Sequence, residues 1–177
     1  MTLDDAKVLL NDSNISFEVI DYENEKAYWH HTMLFPYTHN AKTCKVKAIV
    51  IKSNNGNKDI ELQFNEINGM FVFEELRFGG YVFDFYDLVE EILAAELISI
   101  VKEIEKGEMI VIVANNLKKR YWIGDALFDL NDDGFGKTGY EKTMLSINNS
   151  HKFWDKLFKS KVQYEIYDWN SYQCIIK

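Results

Sequence analysis

The sequence predicts an α+β domain: an antiparallel β-sheet of meanders and hairpins packed against one long amphipathic helix at about 87–106. Three observations point there. Alternating or β-branched apolar runs recur from Val46 to Phe85 and from Met109 to Ile176, broken by Asn, Gly and Ser turns. Between them lies one stretch whose apolar residues repeat at helical spacing. Strands come in runs instead of alternating with helices, which excludes a parallel doubly wound sheet.

The elements follow in chain order. Thr2 can cap a short helix over 2–12, with Asp4 and Asp5 in the first turn and Leu3, Ala6, Leu9 and Leu10 as its apolar stripe. Ile15, Phe17 and Val19 alternate with Ser16 and Glu18, as in a half-buried strand. Val46 to Ile51, a turn at Asn54 to Asn57, and the alternating Ile60, Leu62 and Phe64 form a hairpin. Met70 to Glu74 and Tyr81 to Phe85 extend it to a four-stranded meander. Asp87 is the candidate N-cap of the long helix, with Glu90 at the capping-box position. Its broad stripe runs from Leu88 to Ile104, and Gly107 stops it. Met109 to Ala114 and Tyr121 to Leu127 form another hairpin, and Val162 to Asp168 and Tyr172 to Ile176 a last one. Shorter helices are expected over 140–159. Pro36 is the only proline, and no repeat or linker divides residues 1–177, so a single globular domain is expected.

Composition excludes several classes. With 47% hydrophobic and 15% aromatic residues, the chain can build a core and is not disordered. A net charge of −8 argues against nucleic acid and against anionic membrane surfaces as partners. No apolar run reaches the length of a membrane span, and the start lacks a secretory layout. Two cysteines, Cys44 and Cys174, make no disulfide framework, so a cytoplasmic location is expected. Lysine outnumbers arginine 18 to 2, which suits a low-GC bacterial genome. The charge is uneven: −5 over residues 1–40, +4 over 41–60, −8 over 61–100, +2 over 101–120 and −1 over 121–177.

Candidate chemistry is sparse. The loop from Asp129 to Gly139 matches part of a calcium loop over 129–141, with Asp129, Asn131, Asp133 and Gly134 in place. Its closing carboxylate position holds Tyr140, and Glu141 comes one residue late. The same loop holds Gly136-Lys137-Thr138, a phosphate-loop ending without its leading glycine, and Gly134-x-Gly136-x-x-Gly139, a dinucleotide fingerprint without a correctly spaced acid. Three incompatible partial matches point to an Asx-rich turn. His30, His31, His39 and Cys44 lack the paired spacing of a zinc shell. Glu74 and Glu75 should face opposite ways on a strand, whereas Glu75 and Arg77 share a face and can pair. No nucleophile elbow occurs and neither cysteine has a nucleophile context, so no catalytic residue, metal or cofactor is assigned. The clustered aromatics Phe71, Phe73, Phe78, Tyr81, Phe83 and Phe85 read as core.

Three stretches carry a family likeness: the opening helix leading into Phe17-Glu18-Val19-Ile20-Asp21-Tyr22, the segment from Trp29-His30-His31 to Phe35-Pro36-Tyr37, and Phe73-Glu74-Glu75-Leu76-Arg77-Phe78-Gly79-Gly80-Tyr81. In these the chain resembles the small acidic α+β immunity proteins found beside bacterial polymorphic or contact-dependent toxins. The resemblance implies a non-enzymatic binder that neutralises a cognate protein toxin. An acidic face would steer association with a basic partner. The expected contact residues are Glu74, Glu75 and Asp84 in the most acidic block, and Asp129, Asp132 and Asp133 in the loop. The competing expectation is a small-ligand or enzymatic domain using a pocket between sheet and long helix, with the calcium-like loop at 129–141.

Overall fold

The computed structural model describes residues 1–22, 45–83, 85, 88–117, 121–130, 142 and 161–176. Among them are two α-helices and nine strands, α1 (Leu3–Asp12), β1 (Glu18–Tyr22), β2 (Val46–Ile51), β3 (Ile60–Ile67), β4 (Met70–Phe78), β5 (Tyr81–Phe83), α2 (Glu90–Glu105), β6 (Met109–Asn116), β7 (Tyr121–Asp129), β8 (Val162–Tyr167) and β9 (Tyr172–Ile176). The α+β class holds, but the single sheet does not. The strands form two antiparallel sheets, one of five in the order β1-β2-β3-β4-β5 and one of four in the order β7-β6-β8-β9. The reason is non-local: β8 pairs with β6 across a long separation, Asn116 opposite Val162 and Val111 opposite Tyr167. That closes the second sheet without touching the first meander's ladder.

Local chemistry explains the elements. Thr2 caps α1 in a full capping box with Asp5, whose carboxyl the Thr2 hydroxyl and amide hold below its ordinary range. Leu3, Ala6 and Leu10 of α1 are buried. β1 begins at Glu18, three residues after the start of the alternating run that suggested it. Ile15 is buried instead as α1 turns, its amide donating to the Leu10 carbonyl, and Asn14 takes a left-handed φ of 58° to make that turn.

The long helix is also shorter than expected. It starts at Glu90 with Val89 as N-cap and no side-chain cap, so Glu90 is its first residue and not the third of a capping box. Asp87 lies outside the described residues. The buried stripe of α2 narrows to Leu97, Val101 and Ile104, while Leu88, Val89 and Ile92 face solvent. Gly107 ends the helix as expected, with a left-handed φ of 74° that a β-carbon disfavours. The helices expected over 140–159 fall, Lys142 apart, outside the described residues.

One cluster of buried side chains draws on both sheets and both helices. It joins Leu3 and Leu10, Ile49, Leu62 and Phe64, Leu76 and Phe78, Leu97 and Val101, Val111 and Val113, and Tyr167 and Trp169. The long helix therefore does not lie on one sheet, as the sequence suggested. It shares a core with two. The outer face of each sheet carries a smaller cluster: Tyr22, Val46, Ala48 and Val50 on the first, Ile112, Ala114, Val162 and Tyr164 on the second.

The sheets meet at two polar clamps. Tyr167 accepts from the Gly80 amide at 2.7 Å and donates to the Phe78 carbonyl at 3.0 Å. Its ring stands edge-on to Phe78, with centroids 5.2 Å apart. The second clamp is the β2–β3 turn. The Asn55 amide donates to the Trp169 carbonyl at 2.9 Å, and its side chain donates to the Asp168 carbonyl at 2.6 Å. Asn54 donates to Asn170 at 3.0 Å.

Gly79 makes the first clamp possible. It has a φ of 56°, and a β-carbon there would lie 2.7 Å from the Tyr167 hydroxyl. Tyr167→Phe removes both hydrogen bonds while leaving the ring, and is expected to cost about 1–3 kcal/mol for the two backbone groups left unpaired. Gly79→Ala adds strain and a clash, and is expected to cost at least about 1 kcal/mol. Urea unfolding of both variants checks this; a wild-type midpoint for either would remove the clamp from the account.

Candidate functional site

Three acids of the acidic block, Glu61, Glu74 and Glu75, land on the outer face of the first sheet. Antiparallel register sets Glu18, Val50, Glu61, Arg77 and Val82 side by side across the strands, and Ile20, Ala48, Gln63 and Glu75 in the next row. Side chains alternate faces along a strand, so these rows share one side. The β1–β2 half of that side is apolar and the β3–β4 half is charged. Gln63 is fully buried and donates to Glu61 at 3.4 Å. Arg77 pairs through Nε with Glu75, both largely buried.

A bulge then changes the expected direction of Glu74. The β3–β4 ladder runs Phe64 opposite Phe73 and Gln63 opposite Glu75, leaving Glu74 as the extra residue. Asn65, two residues on from Gln63 and on the same face, donates to the Glu74 carboxylate. Glu74 is thereby brought to the side that carries Glu75, which corrects the expectation that the two face opposite ways. Burial, then the neighbouring Glu75 charge, raises the Glu74 pKa; Arg77 and the Asn65 bond oppose the shift.

Glu61, Glu74 and Glu75 thus lie on the face that carries Arg77, which pairs with Glu75. They do not converge as ligands: no group of three His, Cys, Asp or Glu side chains among the described residues is placed to hold a metal ion. The lysines of the basic block are engaged elsewhere. Lys45 pairs with Glu66 at 3.9 Å, Lys47 with Asp21 at 3.3 Å, and Lys52 with Glu18 at 2.8 Å and Asp59 at 3.0 Å. Lys58 crosses to the second sheet and pairs with Glu165 at 2.6 Å. The alternating charge blocks of the sequence are therefore largely cross-strand pairs.

An apolar shoulder lies at the start of α2. Leu88 is 38% exposed, Val89 58% and Ile92 53%. The Met1 amine pairs with Glu90 at 2.7 Å, and the Met1 carbonyl accepts from the Phe73 amide at 3.0 Å. Met1 thus ties the shoulder to the residue preceding Glu74.

The remaining sequence candidates divide. Asp129 is exposed at the end of β7, on the other sheet from Glu74 and Glu75, so the two groups do not share a strand face. Asp84, Asp132, Asp133 and most of the calcium-like loop lie outside the described residues, as do His30, His31, His39 and Cys44. Sequence reasoning missed Glu61, Gln63 and Asn65, for which the alternation of β3 was the available signal. It also missed the exposure of Leu88, Val89 and Ile92, which periodicity assigned to the core. On the core side of α2, Leu97, Val101 and Ile104 are fully buried. No helix among the described residues is long and apolar enough to cross a membrane.

Comparison with family models, with curated proteins and with solved structures finds no match to this chain.

Two groups in this framework have measurable signatures. Asn115, 5% exposed on β6, has no hydrogen-bond partner for either amide atom among the described residues. Replacing it by leucine removes an unpaired buried amide and is expected to stabilise by about 1 kcal/mol, whereas a buried Asp at the same place destabilises. Chemical denaturation of both variants decides it, and a large loss with leucine refutes the reading.

Tyr22 is pushed up to about 12, by burial first and then by the Glu61 charge, and Tyr172 to about 12, by burial and then by Glu165. The folded chain therefore keeps protons that the unfolded chain loses near 10. Stability should be flat with respect to these groups below pH 10 and should fall as pH rises from there towards 12. Tyrosinate absorbance recorded alongside unfolding checks it; these residues ionising at the ordinary value would contradict it.

Proposed function

We propose that this chain is a non-enzymatic binding protein that neutralises a cognate bacterial toxin of basic surface, as its resemblance to immunity proteins implies. The observation that carries the reading is the charge imbalance at the β4 bulge. Glu61, Glu74 and Glu75 lie on one face with Arg77, which pairs with Glu75; Glu74 is exposed, and Lys45, Lys47, Lys52 and Lys58 pair with other acids. Partly desolvated negative charge draws in a basic partner more strongly than a uniformly mixed surface. The exposed Leu88, Val89 and Ile92 supply apolar contact area, which charge alone does not provide. Binding would occlude the toxin's basic surface and needs no bond-making residue on this chain.

The test begins with affinity capture from the native cell, followed by purification of the captured partner. Stopped-flow association is then measured at several salt concentrations. Glu74→Lys should slow association by about tenfold and flatten its salt dependence, with dissociation little changed. Glu74→Gln should give a smaller effect in the same direction. Asp129→Lys tests the second group of acids in the same way. Unchanged rates and salt slopes for all three variants would remove acidity from the function.

A further inference from the structure

We propose that β9 is the pairing edge of a homodimer, in which two copies join their second sheets through antiparallel β9 strands. The four sheet edges differ in how they are protected. An open edge presents unpaired amides and carbonyls, and proteins blunt it with charge, proline, bulges or extreme shortness. The β1 edge carries Glu18 and Asp21, each paired with a lysine. The β5 edge has only three residues. The β7 edge carries Asp125 and Asp129 and a register shift opposite Ala114 and Asn115. The fourth edge, Tyr172-Gln173-Cys174-Ile175-Ile176, has no charge and no proline. Its ladder with β8 runs without a shift from Tyr167 opposite Tyr172 to Gln163 opposite Ile176. Among the described residues it pairs with β8 alone. Gln173 and Cys174 are exposed, and Ile176 is 56% exposed.

A second copy fits this edge because the strand is complementary to itself. A two-fold axis at Cys174 sets Tyr172 opposite Ile176 of the other copy, Gln173 opposite Ile175, and Cys174 opposite Cys174. Both aromatic–aliphatic pairs are of the kind that stabilises strand pairing, and no like charges meet on the paired strands. The nearest acid on β8, Glu165, lies opposite Cys174 in the ladder and is already held by Lys58 at 2.6 Å. The net charge of −8 therefore does not bear on this edge directly. A five-residue ladder covers less area than a permanent dimer needs, so the association is expected to be weak, with dissociation in the range of about 10–500 µM.

Sedimentation equilibrium of the full chain tests this. The mass should rise from 20.8 kDa towards twice that value as concentration approaches about 500 µM. In a Cys44→Ser background, a short bismaleimide should cross-link two copies through Cys174, and the cross-link should vanish in the Cys44→Ser/Cys174→Ser chain. Cys174→Lys places two like charges on the axis at an exposed position and should leave a folded single chain. Any one of three outcomes overturns the proposal: a single-chain mass throughout, a dimer that survives Cys174→Lys, or no cross-link at a concentration where the dimer is present. A single-chain mass would leave the edge to a strand from a different protein.

Discussion

The hydroxyl of Tyr167 sits where the two sheets converge, and most of the architecture rests on that contact. The β4–β5 turn brings the buried Phe78 carbonyl and the more exposed Gly80 amide to the seam between the sheets. Tyr167, the largest fully buried side chain among the described residues, satisfies both with one oxygen. Burial raises its pKa, so the hydroxyl stays protonated and can donate and accept at once. Gly79 gives the ring room to approach. Lys58 lies 5.6 Å over the same ring while pairing with Glu165, which binds the first sheet's turn to the second sheet's interior strand. Shared apolar burial holds the layers together, but it has no direction. The hydroxyl fixes which part of one sheet meets which part of the other.

Charge is organised by the same ladders. The acids of β1 and the lysines of β2 and its turn neutralise one another across the strands. What is left over is decided by geometry more than by composition. One additional residue in β4 moves a carboxylate onto the face that already holds two others. Bulk acidity of this kind is common and carries little meaning on its own. A local, partly desolvated excess is a more specific feature and, with the exposed aliphatic side chains at the start of α2, is the reason for the binding role proposed above.

Much of the fold was legible because local rules agreed with the global one. Thr2 announces its helix, Gly107 ends the other, and alternation from Ile60 to Phe64 reports correctly which side faces the core. What could not be read falls into two physical kinds. Alternation gives the face of each residue but not the partner of each strand, so the β6–β8 pairing, and with it the division into two sheets, was invisible. A bulge has no compositional signature, so Glu74 was assigned the wrong direction. The apolar run at Leu88 and Val89 was read as buried because helical spacing cannot tell the end of a core from a solvent-facing shoulder. Of the candidate site, the identity of the acidic strand was legible and the clustering of its side chains was not.

The clamp at Tyr167 also fixes an order of events during synthesis. Its partners Phe78 and Gly80 leave the ribosome almost ninety residues earlier, on the separations of 89 and 87 that these bonds span. Until β8 emerges, the inner faces of β3 and β4, with Leu62, Phe64, Leu76 and Phe78, lack the side chains of the second sheet that complete their core. Such surface is prone to wrong partners while it waits. The β2-β3-β4-β5 part of the meander is built from neighbouring segments joined by short turns and can form early. Its final packing depends on nearly the last strand to appear. A nascent chain whose β8 has not yet emerged is therefore a ready client for chaperones, and one that has released β8 is less so.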